Sequence, residues 1–222
     1  MKVLFIGNSY TYYNDMPELF KAMSESAGIP CEVKSITRGG AWLWQYQRED
    51  DEVGIQIREA VKKGWNYVMF HDNSFGPVGA LTQFMNASGW LTQLIRDNGA
   101  LPVLYQTMPY QIDHPRYQEY GLTQVDMYHR LRSGYQAAAA KHNALLSPAG
   151  DAFYRGIGRF GAALHNEDKT HPSYMGSYLI AAVHCGFIMS LDPRKIPFTG
   201  ELEESTAKSL LELAAQTLGY KD

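Results

Sequence analysis

Val3-Leu4-Phe5-Ile6-Gly7-Asn8-Ser9 sets four apolar residues in an unbroken run and then stops them with glycine, asparagine and serine. A short continuous apolar run suits a strand covered on both faces, the position of an inner strand in a parallel sheet. The next segment reads as a helix. Asn14-Asp15 offers a cap, Pro17 sits in the first turn, Gly28 lies just past the end, and Leu19, Phe20, Met23 and Ala27 form an apolar face. Residues 31–37 make a second strand closed by Gly39-Gly40, and residues 51–63 an exposed helix with Val53, Ile57, Ala60 and Val61 inward. Residues 67–70 form a third strand that runs into His71-Asp72-Asn73-Ser74, and a helix over 81–98 ends at Gly99.

The alternation continues to the end of the chain. A fourth strand spans 101–106, and residues 108–123, with Pro109 and Pro115, read as irregular. A helix covers 124–142, where Ala137 to Ala140 are strong helix formers, and a short fifth strand covers 144–147. Residues 148–169 read as loop with at most one helical turn. Two helices close the chain, over 173–190 with Tyr178, Ala181, Ala182, Cys185 and Ile188 on one face, and over about 202–218. Strands alternating with helices imply parallel βαβ units, here a five-stranded sheet between two helical layers, a three-layer α/β/α domain over 1–222. In such sheets ligands bind beyond the carboxyl ends of the strands. Ser9, Gly39-Gly40 and Asn73 stand at the ends of the first three and are expected to converge there.

Composition narrows the classes. The 222 residues are 45% apolar and 19% charged, a globular balance with length enough for a full core. The formal net charge is −3, from 20 Lys+Arg against 23 Asp+Glu, with no long basic run, which argues against nucleic acid or an anionic membrane as partner. Two cysteines, Cys31 and Cys185, exclude a disulfide scaffold and a cysteine-rich zinc module, and both read as buried thiols. No apolar stretch approaches the roughly 18 residues of a membrane span. The N-terminal apolar run is too short for a signal peptide, whose apolar core needs about 7–15 residues. The expected location is the cytoplasm, or outside the cell if an export signal has been removed.

The chemistry lies in four weak signals that agree. Ser9 follows the first strand, where a hydroxyl can face a cleft, although serine is also a common turn residue. In Asp168-Lys169-Thr170-His171-Pro172-Ser173 an aspartate precedes a histidine by three residues at the mouth of a helix. Its carboxylate can fold back onto the imidazole Nδ1–H, fixing the tautomer and leaving Nε2 free as a base. Asn73 carries a neutral double donor at the end of the third strand, or else makes an Asx turn. The two glycines let backbone N–H groups approach a substrate oxygen closely, or simply punctuate a turn. Together these are the parts of serine hydrolysis: nucleophile, base, orienting acid and oxyanion donors.

With these residues in this order the sequence resembles the SGNH (GDSL-like) hydrolases. The likeness rests on Gly7-Asn8-Ser9-Tyr10-Thr11, a glycine after the second strand, Asn73 within His71-Asp72-Asn73-Ser74, and Asp168-Lys169-Thr170-His171-Pro172, and spans residues 3 to about 190. The resemblance implies a flavodoxin-like sheet ordered 2-1-3-4-5 and ester hydrolysis through an acyl-enzyme without a cofactor or metal. Ser9 would be the nucleophile, His171 the base and Asp168 its orienting partner. The Ser9 N–H, the Gly40 N–H (with Gly39 the runner-up) and the Asn73 side chain would form the oxyanion hole. The sequence departs from the family's usual motifs at Asn8, where Asp is usual, at Tyr10 for Leu, at His71 for Gly and at Ser74 for Asp. None of these changes removes a catalytic atom.

Tyr10, Tyr12, Tyr13, Trp42, Trp44 and Tyr46 cluster in the two loops that should rim the cleft, with Tyr105 and Tyr110 near the fourth strand's end. Tyr10, Trp42 and Trp44 are the chosen substrate contacts, for a short-acyl ester such as an O-acetylated carbohydrate. Three rivals are a metal-dependent hydrolase built on His165, Asp168 and His171, an FMN site using Ser9, Thr11 and Asn14, and a non-catalytic carbohydrate-binding module.

Overall fold

The computed structural model describes residues 1–221. Its sheet has five strands, β1 (Lys2–Gly7), β2 (Glu32–Thr37), β3 (Tyr67–Phe70), β4 (Leu101–Tyr105) and β5 (Leu145–Ser147). All neighbours pair in parallel, in the order β2-β1-β3-β4-β5. Around it run α1 (Ser9–Tyr12), α2 (Met16–Ser26), α3 (Leu43–Gln47), α4 (Glu52–Ala60), α5 (Phe75–Gly79) and α6 (Leu81–Asp97), then α7 (Arg116–Tyr120), α8 (Gln124–His142), α9 (Ala149–Phe160), α10 (Tyr174–Met189) and α11 (Glu204–Thr217). Helices α2, α9, α10 and α11 pack together, and α3, α4, α5, α6 and α8 form a second group. The result is the three-layer α/β/α sandwich with the flavodoxin-like strand order. No described helix is long and apolar enough to cross a membrane.

β1 has the burial its sequence implies. Val3, Leu4, Phe5 and Ile6 are all buried, and Phe5 sets its ring edge against Phe20 of α2 at 5.4 Å. Successive side chains alternate between faces, so an all-apolar strand needs cover on both sides. The register brings three strand ends level: Gly7 lies opposite Thr37, and Ile6 opposite both Ile36 and Phe70. Ser9, the Gly39-Gly40 turn and Asn73 are therefore delivered to one edge by pairing alone.

Three expectations need correction. Residues 148–169 are not mainly loop, since α9 fills Ala149–Phe160. Gly150, Gly156 and Gly158 weaken the helical signal, but two of them are there for close packing. A Cβ on Gly150 would stand 2.2 Å from the Thr107 carbonyl oxygen, and one on Gly156 would stand 2.8 Å from Leu164. Nor does the Asn14-Asp15 pair cap α2 with a side chain. Both residues are left-handed, at φ 54° and 48°, and the Asn14 amide instead donates to Pro172 O at 3.0 Å and to Ser177 Oγ at 2.9 Å. The Asn14 side chain is thus used across the fold and not on the helix beside it. Also, part of the segment read as irregular is helical, as α7.

Candidate active site

The turn after β1 is built to hold Ser9. Glycine is required at position 7, because a Cβ there would come within 2.2 Å of His71 Nε2 and 2.8 Å of Thr11 Oγ1. Those two side chains bond to each other at 2.8 Å and pin α1 to the end of β3. The His71 Nδ1–H is left to donate to Asp72 O at 2.9 Å, and burial pushes its pKa down to about 4, so the ring is neutral. Asn8 caps α1 by accepting from Tyr10 N at 3.1 Å and reaches across to donate to Ala41 O at 3.0 Å. An aspartate could not make the second bond, which gives Asn8 a structural reason.

Ser9 Oγ lies 2.7 Å from His171 Nε2, and His171 Nδ1 lies 2.6 Å from Asp168 Oδ2. The chain folds back between them because the other carboxylate oxygen accepts from Thr170 N and His171 N, each at 2.9 Å. Burial works to raise the Asp168 pKa, but the hydrogen bonds from His171 and Thr170 outweigh it and hold the carboxyl below its ordinary value. The carboxylate fixes the proton on Nδ1 and leaves the Nε2 lone pair toward Ser9. Tyr13 stacks on the imidazole with centroids 4.0 Å apart and planes within 3°, and Tyr10 meets it edge-on at 5.5 Å.

Across the strand ends, Asn73 makes the Asx turn considered for it, and its amide reaches toward the Gly39-Gly40 turn. Its Oδ1 accepts from Phe75 N at 3.1 Å, an Asx turn, while Nδ2 donates weakly to Gly40 O at 3.3 Å. Gly40 has φ +66°, which disfavours any residue with a Cβ. Gly39 is small for another reason: a Cβ there would meet Tyr12 Oη at 2.9 Å. Sequence reasoning missed Asp72. It is 1% exposed, and its Oδ1 accepts from both Leu43 N at 2.6 Å and Asn73 N at 2.7 Å. One carboxylate thus fastens the segment after Gly40 to the backbone of Asn73. Burial lifts its pKa to about 6.

These groups open into a cleft of about 930 Å³ whose lining includes Ser9, Gly39, Gly40, Asn73, Asp168 and His171. Tyr10 and Trp42 line it, as do Tyr12, Tyr13 and Tyr110. Trp44 does not; it is packed against the core, two residues along and so on the far side of α3's first turn. Tyr46 and Tyr105 are likewise buried away from the cleft, Tyr46 donating to Gly7 O at 2.7 Å. Phe75, His114, Arg116 and Tyr120 complete one wall and were not anticipated. The one available signal was the density of aromatic residues at Tyr110, Tyr117 and Tyr120.

The rival sites do not assemble. His165 is buried with Nε2 bonded to Pro109 O at 3.0 Å, and among the described residues no group of three His, Cys, Asp or Glu is placed to hold a metal. Thr11 is fully buried on His71, and the Asn14 amide is spent on Pro172 and Ser177, so neither presents itself to a phosphate.

A hydroxyl, an imidazole and a carboxylate thus stand in series at the carboxyl edge of a parallel sheet, an arrangement that recurs in serine hydrolases. No family model matches the sequence, and neither does any curated protein. Solved structures do. A candidate SGNH hydrolase from Slackia heliotrinireducens is 30% identical, over 85% of this chain and 98% of that one, with a TM-score of 0.76. A DUF4886 family protein from Bacteroides uniformis superposes with a TM-score of 0.85 over 99% of this chain and 95% of its own at 19% identity. An acetylxylan esterase from Geobacillus stearothermophilus shares the fold at 14% identity, covering 89% and 94% of the two chains with a TM-score of 0.57. The chain belongs to the SGNH hydrolase family, and with that to the enzymes that hydrolyse ester bonds.

Proposed function

We propose that the protein is a serine esterase that works through an acyl-enzyme on a short-acyl ester, an O-acetylated carbohydrate being the substrate class that suits the cleft. The observation that carries this reading is the continuous series from Asp168 Oδ2 to His171 at 2.6 Å and from His171 to Ser9 Oγ at 2.7 Å, at the mouth of the cleft. Ser9 Oγ attacks the ester carbonyl carbon while its proton passes to His171 Nε2. Asp168 steadies the resulting imidazolium. The carbonyl oxygen takes up negative charge and is met by the Ser9 N–H, the Gly40 N–H and the Asn73 Nδ2–H. As the first residue of α1, Ser9 has an N–H with no partner inside the helix. Collapse breaks the bond to the alcohol oxygen, which leaves with the proton from His171. Water then repeats the sequence on the acyl-serine, delivering its proton to His171 and releasing the acid.

A short acyl group is favoured because the Tyr10 and Tyr13 rings crowd His171. A sugar is favoured by the aromatic faces of Trp42, Phe75 and Tyr120 in the wall. The shared fold with an acetylxylan esterase is consistent with that choice. A non-catalytic carbohydrate-binding role fits less well, since binding alone gives no reason for a serine, a histidine and an aspartate in series. The test is a set of p-nitrophenyl esters of rising chain length beside acetylated sugars, with Ser9→Ala as control. Acetyl esters should be cleaved fastest, and only by the protein with Ser9. Turnover unaffected by Ser9→Ala would sink the mechanism, and preference for long chains would sink the substrate class.

A further inference from the structure

Arg116 is the single Lys or Arg among the described residues that line the cleft. Its partners are neutral: Nη1 donates to Tyr110 Oη at 3.2 Å, and the guanidinium carbon lies 5.9 Å from the centre of the Phe75 ring. Among the described residues no carboxylate lies within ion-pair distance of it. The cleft's one carboxylate, Asp168, has both oxygens committed to the backbone and ring of His171 and to Thr170 N. The cleft therefore holds one guanidinium with no carboxylate in ion-pair contact, and one carboxylate, Asp168, that is turned toward His171.

That charge is held in place by buried groups. Tyr110 Oη, on which the guanidinium rests, bonds to Ser74 Oγ at 2.9 Å, and Ser74 Oγ accepts from Tyr10 Oη at 3.3 Å. Tyr10, Ser74 and Tyr110 are all buried while Arg116 is exposed, so the network runs from the residue beside Ser9 out to a guanidinium open to a ligand. The planar guanidinium has five donors in a fork that matches a carboxylate, and Nη1 spends one of them on Tyr110. Phe75 and Tyr120, 4.4 Å apart between centroids, flank the position with apolar surface.

We propose that Arg116 forms an anion subsite and that the ester cleaved at Ser9 is an O-acetylated sugar bearing a carboxylate, as in a uronic acid. This rests on the esterase reading of the same cleft. The carboxylate belongs to the alcohol portion. A two-carbon acyl group ends beside Ser9, whereas Arg116 lies in the wall with Phe75 and makes no hydrogen bond to Ser9, His171 or Asp168, being linked to Tyr10 only through Tyr110 and Ser74.

The test compares an acetylated uronic acid with its own methyl ester, the same sugar with the charge removed. A second pair, p-nitrophenyl hemisuccinate and p-nitrophenyl butyrate, puts the charge on the acyl side. The wild-type protein should favour the free uronic acid roughly fivefold to tenfold in kcat/KM, chiefly through KM, and less so as salt is raised. In Arg116→Gln the ratio should fall to about one, and Arg116→Lys should keep part of it. Equal rates on the uronic acid and its methyl ester, or a preference that survives Arg116→Gln, would overturn the subsite. An Arg116-dependent preference for the hemisuccinate alone would overturn the assignment to the alcohol portion. p-Nitrophenyl acetate separates the two levels. If it is cleaved in a Ser9-dependent way while both sugars are refused, the sugar assignment falls and the esterase stands. If it is not cleaved at all, both fall.

Discussion

The molecule holds two serine–histidine pairs at the same separation. Ser9 Oγ and His171 Nε2 are 2.7 Å apart, and so are Ser147 Oγ and His184 Nδ1. Both serines stand at the carboxyl end of a strand or just beyond it. The surroundings differ in every other respect. His171 has a carboxylate on its second nitrogen and a cleft beside it. His184 is fully buried in α10, its Nε2 has no hydrogen-bond partner, and Tyr105 meets it edge-on at 4.5 Å. Burial, with a smaller push from His71, drives the His184 pKa down to about 3, so the ring is a neutral imidazole near neutral pH. A base in a serine hydrolase must become an imidazolium in the transition state. The contact distance thus says little, and the third group and access to substrate say most.

The comparison breaks most sharply at the serines themselves. Ser9→Ala is expected to lower kcat by several orders of magnitude, with about 10⁶ the extreme for such systems, while Ser147→Ala leaves kcat within a few-fold. Steady-state rates on p-nitrophenyl acetate decide it, and comparable losses in the two variants would abolish the distinction. Peptide mapping after a sulfonyl fluoride should find the adduct on Ser9 and none on Ser147. The double variant Ser9→Ala/His171→Ala should be little worse than either single one, because the groups act as a unit.

Asn73→Ala comes next, with an expected loss of about 10²–10³ in kcat and little change in KM, the effect of losing one oxyanion donor. Asn73→Asp sharpens the point. An Asx turn tolerates aspartate, so a normal kcat in that variant would assign Asn73 to the turn alone.

The buried pair has its own signature in stability. His71 and His184, pushed down to about 4 and about 3, bind protons less readily in the folded chain than in the unfolded one, where histidine sits near 6.5. Their contribution is complete above about pH 6.5 and is lost as pH falls toward those lowered values, by at most about 1.4 kcal/mol per pH unit for each ring. Thermal melts of the wild type and His184→Gln between about pH 7 and about pH 4 should show a shallower fall in the variant. Equal slopes would mean His184 is not the group responsible. Smallest of all, Ser147→Ala strands the His184 Nδ1 and should cost about 1–3 kcal/mol, lowering Tm by roughly 2–12 °C.

How much could be read in advance follows the same division between local and distant causes. β1 was legible because burial on both faces leaves an unbroken apolar run, Val3 to Ile6. Ser9, Asp168 and His171 were legible because strand ends and a helix mouth are places where a chain presents side chains. α9 was obscured because its glycines answer to Thr107 and Leu164, which sequence does not place beside them. Asp72 was obscured for the same reason: one of its two partners, Leu43, is 29 residues away. Trp42 and Trp44 look alike in sequence, and helical rotation over two residues sends only the first to the cleft.

Ser9 and His171 are 162 residues apart in the chain, and Asn14 ties the same two regions through Pro172 and Ser177. A ribosome has therefore made most of the polypeptide before Ser9 can meet His171. At about 5–20 residues per second, that is a delay on the order of ten seconds or more, during which the nascent chain carries an exposed serine and no hydrolase. The contact forms only after all five strands and the segment before α10 have been made, so turnover would report a nearly complete fold rather than the presence of the parts alone.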